Sequence, residues 1–137
     1  MKQTIIRGIL CGIFVPVILL LWAVCDFWIV DFPYYISHIV SILLIGLTAF
    51  ILKSDSLKHY GISVSIAVLT LLFVQIVFIF SDIHRYAFKL IFGADTELGA
   101  GDGFAIMVSV IKPFIVMLCG TAVSFILTLV KIKRKKP

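Results

Sequence analysis

Residues 60–81 read YGISVSIAVLTLLFVQIVFIFS, a run of 22 residues with no formal charge. As a helix rising about 1.5 Å per residue it reaches about 33 Å. That crosses the roughly 30 Å hydrocarbon core of a bilayer. Working outward, residues 8–25 carry no charge, residues 32–52 hold only His38, and residues 104–130 are broken by Lys112. The pattern predicts four spans, at about 8–25, 32–52, 60–81 and 104–130. The expected fold is all-α: one transmembrane domain over residues 1–137, an integral membrane bundle of four helices. A short amphipathic outer helix is expected between spans three and four.

Composition agrees. Of 137 residues, 62% are hydrophobic and 14% charged, against about 45–50% and about 25% in an ordinary soluble domain. Mean hydropathy is +1.21. A water-facing surface cannot be built from so few polar side chains. The net charge of +5 would suggest nucleic acid in a soluble protein, but here the basic residues sit at the span edges. No base-stacking module, zinc spacing or phosphate loop is present, so no nucleic-acid partner is expected. Cys11, Cys25 and Cys119 are odd in number and far apart, neither a disulfide framework nor a C-x-x-C pair. No cofactor is implied.

Basic residues set the direction of the spans. Segments 1–7, 53–59 and 131–137 hold nine of them, while the other two connections hold only Arg85 and Lys89. Six of the seven acids, Asp26, Asp31, Asp82, Asp95, Glu97 and Asp102, fall on that second side. Both termini are therefore expected in the cytoplasm, with the plasma membrane as the location. Trp22, Phe27, Trp28, Phe32, Tyr34 and Tyr35 crowd the first outer turn, where amphipathic rings favour the headgroup level. An alternative for the first span is a cleaved signal, given Lys2, Arg7 and the apolar run after them. Trp22 and Val24 fit poorly in a lipoprotein-type box before Cys25.

The connection 81–103 opens with Ile83, Ala87, Leu90 and Ile91 at helical spacing, and Asp82, Arg85 and Lys89 on another face. This predicts the amphipathic outer helix. Residues 93–103 then carry four glycines with Asp95, Glu97 and Asp102. The acids do not follow the calcium-loop spacing, so a solvated acidic loop is expected rather than a metal site.

Ionisable and amide groups inside spans are the candidates for function. Measured from the basic side at about 1.5 Å per residue, Lys112 lies about 28 Å up, Asp26 about 27 Å, and His38 and Gln75 about 22 Å. Four polar groups on four spans thus fall in the outer third. Facing inward, they would form a polar layer, with Asp26 and Lys112 as its ion pair. The plainer reading has Lys112 snorkelling to the headgroups and Gln75 bonding a neighbouring helix.

Gly8 and Gly12 form a small-x-x-x-small face for close helix approach. Thr121, Ser124 and Thr128 repeat at helical spacing, as packing residues do. The tail Lys131, Lys133, Arg134, Lys135 and Lys136 suits anionic lipid or a docking partner. Small four-span exporters with a glutamate in the first span, four-span oxidoreductases with C-x-x-C, and embedded lipid kinases with clustered glutamates are all excluded, because Glu97 is the single glutamate and no C-x-x-C occurs. No spacing assembles an acid–base or nucleophilic site, so an enzyme is not expected. Two readings remain. One is an accessory, regulatory or protective subunit that binds another membrane component, in a complex or as a homo-oligomer. The other is a small oligomeric transporter or channel with an outward polar vestibule.

Overall fold

The computed structural model describes residues 1–28, 34–80 and 100–134, with side chains at these positions except 23–28, 34, 35, 37, 79, 80 and 100–110. The regular structure among the described residues is α-helix. Helix α1 spans Lys2–Trp28, α2 Tyr34–Leu52, α3 Leu57–Phe80 and α4 Ala100–Arg134. Three are long and apolar enough to cross a membrane, through Lys2–Trp22, Leu57–Phe78 and Ile111–Arg134; α2 adds a shorter apolar stretch, His38–Leu52. Helices α1 and α4 extend past both ends of the runs that predict them and α3 past its first end, because Lys2, Arg7, Lys58 and Lys131 fit helix ends without entering the apolar part; α2 stays within its run. The expected outer helix and residues 93–99 of the acidic loop lie outside the described residues; residues 100–103, expected in that loop and including Asp102, instead open α4. Pro16 and Pro113 lie inside α1 and α4, which continue through them.

Burial runs against the pattern of a soluble protein. The outward positions carry the large side chains: Phe50 is 74% exposed, Leu118 71% and Phe73 67%. The inward stripes carry smaller ones. On α1 the buried line is Gly8, Cys11, Gly12, Val15, Pro16 and Leu19; on α3 it is Ser63, Ala67, Leu71 and Gln75. Where such helices lie in lipid, no hydrophobic drive sorts Leu and Phe inward. Small residues take the interface because they let backbones approach.

The closest packing skips the neighbour in sequence. Helix α1 packs most tightly on α3, and α2 on α4; α1 with α2, α3 with α4 and α1 with α4 touch more lightly, and α2 with α3 least. Gly8 faces Ser63 and Ile66, and Gly12 faces Ala67 and Thr70. Four residues forward on α1 match four forward on α3, so that pair is parallel. Gly120 faces Ile45 and Thr48, and Thr128 meets Ser54, so α2 and α4 are parallel too. Around the bundle the order is α1, α3, α4, α2. The four residues 53–56 therefore join helices on opposite corners.

Candidate functional site

The basic residues meet at one end of the bundle, and the segment 53–56 crosses it. At one edge, Arg7 of α1 donates through Nη1 to the Lys53 carbonyl at 3.3 Å. At the other, the Ser54 N–H donates to Thr128 Oγ1 at 3.2 Å, a buried contact. Asp55 then pairs with Lys131 of α4 at 2.6 Å. Ser56 begins α3: its Oγ accepts the His59 N–H at 3.3 Å, the side-chain cap that an otherwise orphaned helical donor needs. A strap of four residues is thus tied to α1 on one side and α4 on the other. Its sequence explains it. Ser54 is small enough to be buried, Asp55 reaches a lysine, and Ser56 stops the strap and starts the helix.

Above the strap, the Tyr60 hydroxyl donates to the Thr121 carbonyl at 2.7 Å. Its ring lies 5.7 Å from that of Phe125. This bridges the lower part of the α3–α4 seam; with Val68 and Leu71 beside Phe114, Ile115 and Leu118 farther along, it means that these two helices run antiparallel. Higher in the seam is a half-open cleft of about 290 Å³, lined by Val68 and Leu71 on α3 and by Phe114, Ile115, Leu118 and Thr121 on α4. Thr121, its polar lining residue, donates its hydroxyl back to the Leu118 carbonyl at 2.8 Å. The cleft therefore offers an apolar wall.

The outer polar positions behave differently from one another. Gln75 is buried on α3. Lys112 is half-buried on α4, and His38 is exposed on α2. The register that sets Thr48 against Gly120 carries Lys112 to the level of Val40, within a turn of His38. The seam at Tyr60 sets Gln75 about one turn beyond Lys112. These three share a level but not a face. The side chain of Asp26 lies outside the described residues, as do Lys135 and Lys136.

Gly8 and Gly12 are engaged within the chain. A Cβ built on Gly8 would lie 2.6 Å from the Ser63 carbonyl oxygen, and one on Gly12 2.5 Å from Thr70 Cβ. The helix that this face admits is α3. Of the basic tail, Lys131, Lys133 and Arg134 are the last turn of α4, and Lys131 is committed to Asp55. Among the described residues no cluster of His, Cys, Asp and Glu could hold a metal ion. The buried hydroxyls of Ser63 and Ser124 make no hydrogen bond; helix-packing serines often return theirs to the preceding turn.

Sequence reasoning missed the strap. The signal was there, in a Ser-Asp-Ser between two apolar runs, with Ser56 three residues before His59 as a cap requires. Fold and site together define a helical protein whose long helices are apolar enough for a membrane, with a basic end closed by its own loop. Comparison with protein-family models, curated proteins and solved structures finds no match, so function must be read from the residues themselves.

Proposed function

We propose that this chain is a four-span integral membrane protein of the plasma membrane, with both termini cytoplasmic, that serves as an accessory, regulatory or protective subunit for another membrane component. The strap carries this reading. Residues 53–56 lie across the basic end, tied by Arg7, Thr128 and Lys131, and the stripes behind them approach too closely for another methyl group. A bundle filled and tied in this way supports an interaction role over conduction through one copy. Helix α2, about 28 Å long by its 19 residues, supports the fourth span. The uneven distribution of Lys and Arg supports the orientation. The basic residues from Lys131 to Lys136 would rest on anionic headgroups, and the amphipathic segment 83–91 would lie at the outer interface. Because Gly8 and Gly12 are occupied by α3, a partner would meet the broad apolar faces that carry Phe50, Phe73 and Leu118.

A second reading has support in Gln75. An amide buried in the outer part of the bundle suits a vestibule near Asp26 and Lys112, which exposed His38 would join only between copies of a small oligomeric transporter. The test is purification of the tagged full chain from its own membrane in mild detergent, with mass and subunit count determined. A stoichiometric second protein supports the accessory role. A homo-oligomer that carries solute or ion flux in liposomes overturns it in favour of transport.

A further inference from the structure

The α3–α4 seam joins two features that the accessory role does not use. One is the apolar cleft between Val68 and Leu71 on one side and Ile115 and Leu118 on the other. The second is uncommitted positive charge directly beneath it. Segments 1–7, 53–59 and 131–137 contain a single acid, Asp55, and Lys131 holds it. Lys58, Lys133 and Arg134 at the same end are exposed.

The helix geometry links them. Lys133 and Ile115 are 18 residues apart, five whole turns at 3.6 residues each. Lys133 therefore lies on the line of α4 that forms the cleft wall, about 27 Å below Ile115, from where a helical side chain leans back toward the N-terminal turn and so toward the cleft. On α3, Gly61 and Val68 are two turns apart on one line, and a Cβ added at Gly61 would meet nothing within 4 Å. That leaves open space on the outer side of the seam below the cleft, where a chain can run over the Tyr60–Phe125 contact. Lys58 begins α3 less than a quarter-turn from this line. Val68 and Leu71 sit about 12–17 Å above Tyr60. One leaflet of a roughly 30 Å core is about that thick, so the cleft takes the far half of a chain whose head lies at the basic end.

We propose that this seam seats one anionic phospholipid, its acyl chain in the cleft and its phosphate between Lys133 and Lys58. The proposal rests on the membrane-spanning reading above and adds a ligand to it. Charge selects an anionic head over a zwitterionic one. The returned Thr121 hydroxyl and the capped Tyr60 leave the walls apolar, which selects a hydrocarbon chain over a polar solute.

The test is native mass spectrometry of the full chain in detergent, titrated with phosphatidylglycerol and with phosphatidylcholine of the same chains. One phosphatidylglycerol should remain bound per chain and exceed phosphatidylcholine. Val68→Phe fills the cleft from a position 37% exposed and should lower retention of both lipids by about fivefold or more. Ile115→Phe, on the facing wall, is the second variant should the first fail to fold. Lys133→Gln should lower the preference for phosphatidylglycerol by about fivefold, the worth of one lysine beside anionic headgroups. Equal retention by wild type and a folded filled variant overturns the proposal, and so does equal retention of the two lipids. Displacement by glycerol phosphate would assign the site to a free phosphate group and also overturn it. Carbonate extraction separates the two readings. Protein that stays in the membrane yet retains no lipid loses only the lipid seat. Protein that is released loses the spanning reading itself.

Discussion

Replacing Gly12 with Ala adds one methyl group, and the structure sets both the sign and the size of its effect. That methyl would lie 2.5 Å from Thr70 Cβ and 2.7 Å from the Ala67 carbonyl oxygen. The carbonyl is helical backbone and cannot turn aside. Restoring ordinary contact near 3.4 Å requires α1 to withdraw from α3 by about 1 Å, and a gap of that size forfeits a quarter to half of each contact along the seam. Overpacking of this kind costs about 1–3 kcal/mol, against a helix-propensity return of up to about 1 kcal/mol for Gly to Ala. The net expectation is a loss of about 1–2 kcal/mol. Gly46 is the control: it is helical, and its Cβ would meet nothing within 4 Å. Gly46→Ala should be neutral or stabilising by up to about 1 kcal/mol. Gly8→Ala should cost about as much as Gly12→Ala. The double variant should cost less than the two together, because one withdrawal of α1 relieves both contacts. The assay is unfolding of the purified protein in dodecylmaltoside by added dodecyl sulfate, followed by far-UV circular dichroism. If Gly12→Ala and Gly46→Ala move the midpoint in the same direction by the same amount, the α1–α3 approach is wrong.

Thr128→Val keeps the shape but removes the acceptor of the buried Ser54 N–H. It should cost about 1–3 kcal/mol in the same titration, and Thr128→Ser should recover most of that loss. Asp55→Asn breaks the Lys131 pair, which is 38% exposed on the lysine and 60% on the aspartate; the cost should stay within about 1 kcal/mol and shrink with added salt. In a Cys25→Ser background, a membrane-permeant maleimide should label exposed Cys119 in the folded protein and reach buried Cys11 only after denaturation; equal labelling of the two would contradict the α1 stripe.

How much of this could be read beforehand depends on where the information lies. The apolar runs 8–25, 60–81 and 104–130 are local, with Lys112 the one formal charge among them, and they fall in the three helices long and apolar enough for a membrane. Gly8 and Gly12 announced a close approach by their spacing alone. The helix they approach was not legible, because the complementary surface on α3 is made of Ser63, Ala67 and Thr70, residues that occur in any such span. The outer polar positions were read by height, which sequence supplies through the rise per residue. Their facing was not, since it depends on how each helix is rotated by its packing. Gln75 turns inward because it continues the Ser63, Ala67 and Leu71 line at every fourth residue. His38 is exposed although, 14 residues before buried Leu52, it lies within about 40° of that residue's line, so its place along α2 and not its facing alone decides its exposure.

The strap follows from the same packing. Consecutive helices with short connections normally lie side by side and antiparallel. Here the small faces of α1 and α3 match each other, as do those of α2 and α4, so α2 and α3 are placed at opposite corners while only residues 53–56 separate them. Neighbouring helices pack about 8–10 Å apart, which makes a diagonal about 11–14 Å. Four extended residues reach about 13–14 Å. The connection has little slack and must pass over the end of the bundle. In that position the Ser54 N–H leaves water and needs a partner from the helix beneath, and the Lys53 carbonyl takes one in a more exposed contact. Arg7 and Thr128 supply those partners. The closure of the basic end is thus a consequence of which helix faces are small. Lengthening the strap with two glycines between Asp55 and Ser56 should therefore leave the α1–α3 and α2–α4 pairs intact while loosening the end. Hydrogen exchange should rise at Ser54 and in the last turn of α4, and remain unchanged around Gly12 and Gly120. Exchange that rises equally at all of these positions would mean that the strap, rather than the small faces, holds the pairs together.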